Sequence, residues 1–106
     1  MNPMLHQLLV EKAPAISRLC AGLQVRELRI FGSAVTERFD PSQSDVDIVV
    51  EFFESEAPGI ADRFMALANG LEEIFQRPVD LVTRQAMKNP VFRQTVEQSS
   101  QPLYAA

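Results

Sequence analysis

The sequence predicts a small α/β domain whose first two strands carry the chemistry, and three observations lead there. Leu28, Ile30 and Phe31 form an apolar run that breaks at Gly32, and Val46 to Val50 form a second run behind the acids Asp45 and Asp47. Eleven residues separate Ser33 from Asp45, a connection short enough to bring the second strand back antiparallel beside the first. From Gly59 onward, Ile60, Phe64, Leu67, Leu71, Ile74 and Phe75 recur at helical spacing, an amphipathic stripe of core-packing character that precedes a third short run, Val79 to Val82.

Taken in order, Met4, Leu5, Leu8 and Leu9 mark a helix over residues 4–12. Pro14 is expected to interrupt it and to open a second helical piece that runs to about Ala21 and stops at Gly22. The first strand covers about residues 26–31. Residues 34–38 read as one or two helical turns, and Asp40-Pro41-Ser42-Gln43-Ser44 is turn chemistry throughout. Glu51 to Pro58 reads as an acidic loop after the second strand. Arg77-Pro78 should end the amphipathic helix. Asn89-Pro90 is an N-cap followed by a first helical residue, with Val91, Phe92, Thr95 and Val96 expected to face inward. Ser99-Ser100 break that last helix, and Leu103-Tyr104 suit a short edge strand.

A chain of 106 residues, 46% hydrophobic and 23% charged, has the composition of one globular domain spanning residues 1–106. Its net charge of −4 argues against a nucleic-acid-binding surface as the main function. Glu37, Asp40, Asp45, Asp47, Glu51, Glu54 and Glu56 fall in one stretch with Arg38 as its only base, a balance that suits metal binding. Cys20 stands alone and, with Ile16, Leu19 and Leu23 around it, reads as a buried helical thiol. His6 is a lone histidine on a surface helix. No run approaches membrane-spanning length and no signal-peptide pattern opens the chain, so a cytoplasmic location is expected.

Residues two apart on a strand point the same way, so Asp45 and Asp47 project together. Paired carboxylates repel one another unless a cation lies between them, and magnesium with its oxygen ligands is the natural occupant. Gly32 lets backbone approach a ligand closely, and Ser33 would open a helical turn whose free N–H groups favour a phosphate. Asp80 adds a third acid in the middle of an apolar run, where the plain alternative is an edge-strand residue turned to water.

Gly32-Ser33, the eleven-residue interval, Asp45-Val46-Asp47 and the later Asp80 together resemble the DNA polymerase beta-like nucleotidyltransferase superfamily. More narrowly, the chain resembles the minimal nucleotidyltransferase (MNT) domains, antitoxin partners of HEPN-type ribonuclease toxins. The resemblance implies a nucleotidyltransferase fold, a small mixed β-sheet flanked by helices, with the three acids on one face. It implies magnesium-dependent transfer of a nucleoside monophosphate, AMP from ATP being the family expectation, to a hydroxyl such as a tyrosine of the toxin, and an assembly with that partner. Gly32 and Ser33 would hold the triphosphate, Asp45 and Asp47 would bind the magnesium ions, and Asp80 would complete the metal site and help deprotonate the acceptor. The family's arginine three residues after the motif serine is replaced by Thr36, which leaves Arg38, Arg29 or Arg84 to supply positive charge to the phosphates.

Two other function classes compete. One is a binding module that neutralises a toxin by contact alone, against which three intact acids argue. The other is a small-molecule nucleotidyltransferase of the aminoglycoside-modifying type, which needs an added acceptor-binding domain that 106 residues leave no room for.

Overall fold

The computed structural model describes residues 3–31, 46–54 and 57–106, with side chains from His6 onward. Helix α1 spans Pro3–Gly22, followed by strands β1, Val25–Phe31, and β2, Val46–Phe52. Helix α2, Ile60–Phe75, leads to β3, Val79–Thr83, and a 3-10 turn over Arg84–Ala86. Helix α3, Pro90–Ser99, and strand β4, Gln101–Ala105, complete the chain. The turns expected over residues 34–38 lie outside the described residues.

The four strands form one sheet in the order β3-β2-β1-β4. β1 runs antiparallel to both β2 and β4, while β2 and β3 are parallel, so the sheet is mixed. The antiparallel pairing of the first two strands agrees with the short connection between them. The parallel step needs a crossover, and α2 supplies it.

One sheet face is the core. Val25, Leu28, Ile30, Val46, Ile48, Val50, Phe52 and Leu81 meet Ile16 and Cys20 of α1 and Leu67, Leu71 and Phe75 of α2, all of them buried. Strand alternation sends Asp47, Val49 and Glu51 of β2 and Asp80 and Val82 of β3 to the opposite face. There α3 lies, with Val96 packed in a second cluster with Val49 and Met87, flanked by Phe31 and Val82.

Four expectations change. Pro14 sits inside a continuous α1 and does not divide it. An interior proline forfeits one backbone hydrogen bond and costs about 3 kcal/mol, and burial of Ile16 and Cys20 beyond it, with Leu8, Leu9 and Leu19 against the same core, offsets that cost. β2 continues through Glu51 to Phe52, because Phe52 is buried and pairs with Val25. Helix α2 stops at Phe75, one turn-ending residue before Arg77-Pro78. Gln76 takes a left-handed conformation (φ 57°) and its N–H closes on the Glu72 carbonyl, and Pro78 disfavours helix at the residue before it. On α3 only Val96 is buried, while Val91 is 73% and Phe92 50% exposed and Thr95 is exposed too.

Candidate active site

The parallel register of β2 and β3 aligns Asp47 with Asp80, next to the pairs Val46 with Val79 and Ile48 with Leu81. Paired residues of neighbouring strands share a face at about 4.8 Å strand spacing, so the two carboxylates stand side by side on the α3 face. Asp47 is half-buried and Asp80 exposed. Across β2 on the other side, Asp47 pairs with Phe31, the last residue of β1. Three strand ends therefore converge: the end of β1, from which the chain enters Gly32, and the starts of β2 and β3. Gly32, Ser33, Thr36, Arg38 and Asp45 lie outside the described residues. Among the described residues no group of three His, Cys, Asp or Glu side chains is placed to hold a metal ion.

Farther along the same face, beyond Val49, a cavity of about 230 Å3 is lined by Glu27, Arg29, Glu51, Arg84, Glu97 and Ser100 over a floor of Val49, Met87 and Val96. It contains neither Asp47 nor Asp80. Arg84 donates to Glu97 through Nε (3.0 Å) and lies 2.9 Å from it through Nη2, while its Nη1 reaches Glu51 at 3.3 Å. Burial works to lower the Arg84 pKa, but Glu97 and then Glu51 outweigh it and hold the guanidinium above its ordinary value. Arg29 donates from Nε to Ser100 Oγ (2.7 Å) and from Nη2 to the Ser100 carbonyl (3.1 Å). Both arginines thus fasten α3 to the sheet with carboxylate or Ser100 partners of their own. Sequence reasoning offers both, as alternatives to Arg38, to supply positive charge to the phosphates, and does not anticipate this clip. Its only sequence signal is the alternation Asp47, Val49, Glu51, which places a glutamate beneath α3.

Cys20 and His6 lie on α1, on the other side of the sheet from the acid pair. Cys20 is fully buried, and burial pushes its thiol pKa up to about 12, so it is inert near neutral pH. His6 is exposed on α1. No helix among the described residues is long and apolar enough to cross a membrane.

Residues 15–103 match the model of the family described as nucleotidyltransferase domain. The chain belongs to this family. Two relatives in Methanocaldococcus jannaschii, both named as protein adenylyltransferases, are 35% and 32% identical over 75 residues, which is 71% of this chain and 72% and 73% of theirs. A solved minimal nucleotidyltransferase superposes with a TM-score of 0.73 at 26% identity over 96% of both chains. A chain in the solved structure of a toxin–antitoxin with AMP-PNP superposes with a TM-score of 0.64 at 22% identity, over 89% of this chain and 73% of that one, a likeness of fold. The protein is an MNT-type nucleotidyltransferase, and the expected mixed sheet flanked by helices is the fold it has. In this nucleotidyltransferase the converging strand ends bring two of the three expected acids together and lead directly into the Gly32-Ser33 motif.

Proposed function

We propose that this nucleotidyltransferase moves AMP from ATP to a tyrosine hydroxyl of a HEPN-type ribonuclease toxin and so acts as that toxin's antitoxin in the cytoplasm. The observation that carries this reading is the alignment of Asp47 with Asp80 at the strand ends that border Gly32-Ser33. The relatives named as protein adenylyltransferases and the likeness of fold to a toxin–antitoxin chain support it. Carboxylate oxygens are the donors that a hard dication prefers, so Asp47 and Asp80, with Asp45 two residues before Asp47, suit magnesium. When bound, magnesium neutralises phosphate charge and stabilises the entering and leaving oxygens.

In this reading Gly32 and Ser33 hold the triphosphate by backbone N–H groups and a hydroxyl, and Arg38 adds positive charge there. Asp80 takes the proton of the tyrosine hydroxyl. The phenolic oxygen forms a bond to the α-phosphorus as the bond to the bridging oxygen breaks, and pyrophosphate leaves with the electron pair. Positioning and electrostatics supply the rate.

The test is to incubate the protein with ATP, magnesium and the product of the adjacent gene, then to weigh that product intact. A gain of one or more AMP units, lost with Asp45→Asn or Asp47→Asn, is the expected result. Neutralisation of the toxin with no mass change would show a binding module instead.

A further inference from the structure

Helices α1 and α2 cover the sheet face opposite the acid pair, and an open groove of about 470 Å3 lies between them. At one point the two helices all but touch, since a Cβ on Gly70 of α2 would come within 2.7 Å of Leu19 of α1. Ala15, Leu19 and Ile74, all half-buried, give the groove an apolar lining. Its rim is polar, with Lys12 and Arg18 on the α1 wall and Glu73 and Gln76 on the α2 wall.

Most cations of this protein are spoken for. Arg26, Arg29, Arg84 and Arg93 each reach a carboxylate, and Arg63 donates to the carbonyls of Leu23, Gln24 and Phe53. Among the described residues, the side chains of Lys12, Arg18 and Lys88 engage no such partner, and the first two line the same groove. Glu73 lines it too and pairs with neither. The α1 wall therefore presents uncompensated positive charge on a chain whose net charge is −4. Lys12, Ala15 and Arg18 follow one another at intervals of three residues down α1, which sets the two cations about 9 Å apart along its axis. The small Ala15 side chain lies midway between them.

We propose that this groove docks the acceptor protein through an amphipathic helix that turns carboxylates toward Lys12 and Arg18 and lays an apolar side chain over Ala15, Leu19 and Ile74. This rests on the reading above, in which a partner protein receives the AMP. Charge complementarity selects the occupant, because uncompensated cations steer acidic surfaces toward them and fix their register. A helix lying along α1 matches the two cations with acids about six or seven residues apart and an apolar residue between them, the helix-in-groove mode of recognition. Glu73 repels acids from the α2 wall and so decides which flank of that helix faces α1. RNA fits this groove poorly. Among the described residues no aromatic side chain lines it for a base to stack on, and two cations are few where a phosphate backbone calls for a run of them. The sheet separates the groove from Asp47 and Asp80, so the contact holds the partner and leaves the acid pair uncovered.

The test measures, by calorimetry at low and at high salt, how tightly the intact protein binds the product of the adjacent gene, with AMP-PNP and magnesium present so that no transfer occurs. Lys12→Glu combined with Arg18→Glu is expected to raise the Kd about tenfold or more at low salt and to flatten its salt dependence. Glu73→Lys, which makes the second wall cationic, is expected to lower the Kd, a gain that misfolding does not produce. Both variants should bind AMP-PNP and magnesium as the parent protein does, because the groove lies across the sheet from the acids. An unchanged Kd in either variant would overturn the proposal. A short oligoribonucleotide that binds this protein more tightly than the product does, and loses that affinity in the double variant, would assign the groove to RNA and overturn it as well. A complex that forms and responds to these charges but transfers no AMP when ATP replaces AMP-PNP would overturn the function above and uphold the groove. A product that does not bind the parent protein would overturn both.

Discussion

Asp47 and Asp80 are each other's lateral neighbours, and like charges directly across a strand pair cost about 0.2–1 kcal/mol. Asp47→Asn should abolish magnesium-dependent AMP-PNP binding by calorimetry. Undiminished binding would remove Asp47 from the site. Cys20 gives a second expectation. Its pKa of about 12 in the fold, against 9.0 for an ordinary thiol, means that the folded protein keeps a proton which the unfolded chain has lost between these values. The contribution to stability is complete below pH 9, falls as pH rises, and is gone once pH passes 12. At pH 8 a thiol reagent should not label the native protein but should label it fully in denaturant. Most of this was legible residue by residue: an acid amid Val79, Leu81 and Val82 and a cysteine amid leucines are anomalies that the sequence displays openly. The engagement of Arg29 and Arg84 was not, because a cation's partner depends on which elements meet, and Arg29 and Ser100 lie far apart along the chain.

Element starts were readable where a local hydrogen bond decides them. Asn89 caps α3 by accepting from the Val91 and Phe92 N–H groups at 2.9 and 3.2 Å, with Pro90 in the first turn. Asn89→Ala should cost about 1 kcal/mol in urea unfolding. The inward side of α3 was not readable. Periodicity identifies a stripe but not how much of it the sheet covers, and β3 ends the sheet before the stripe does. The continuity of α1 through Pro14 escaped for the converse reason, since packing on both sides of the proline outweighs a local preference. Gly70 shows how closely α1 and α2 approach: a Cβ there would come within 2.7 Å of Leu19 Cδ2. Because that methyl is the end of a flexible side chain, Gly70→Ala should shift the urea midpoint only slightly, the better helix propensity of alanine offsetting the displaced leucine.

At the scale of the whole molecule, the acidic face rests on a core it does not share. Leu71, fully buried in α2 on the far side of the sheet, anchors the crossover that brings β3 to β2. Leu71→Ala should lower global stability by about 2–5 kcal/mol, measured by denaturant unfolding. The parallel pairing also has a kinetic consequence. The β1–β2 hairpin closes over a short interval, but Asp80 meets Asp47 only after α2 has formed and docked, a closure of much greater sequence separation. Loop closure therefore favours, early in folding, states in which the hairpin exists and the acid pair does not. If the acid pair holds magnesium and nucleotide as proposed, these states lack that site, and the ligands would add their binding free energy to the last closure. Hydrogen exchange with and without AMP-PNP and magnesium should show the gain in protection concentrated in the β2–β3 ladder, with the β1–β4 ladder little changed.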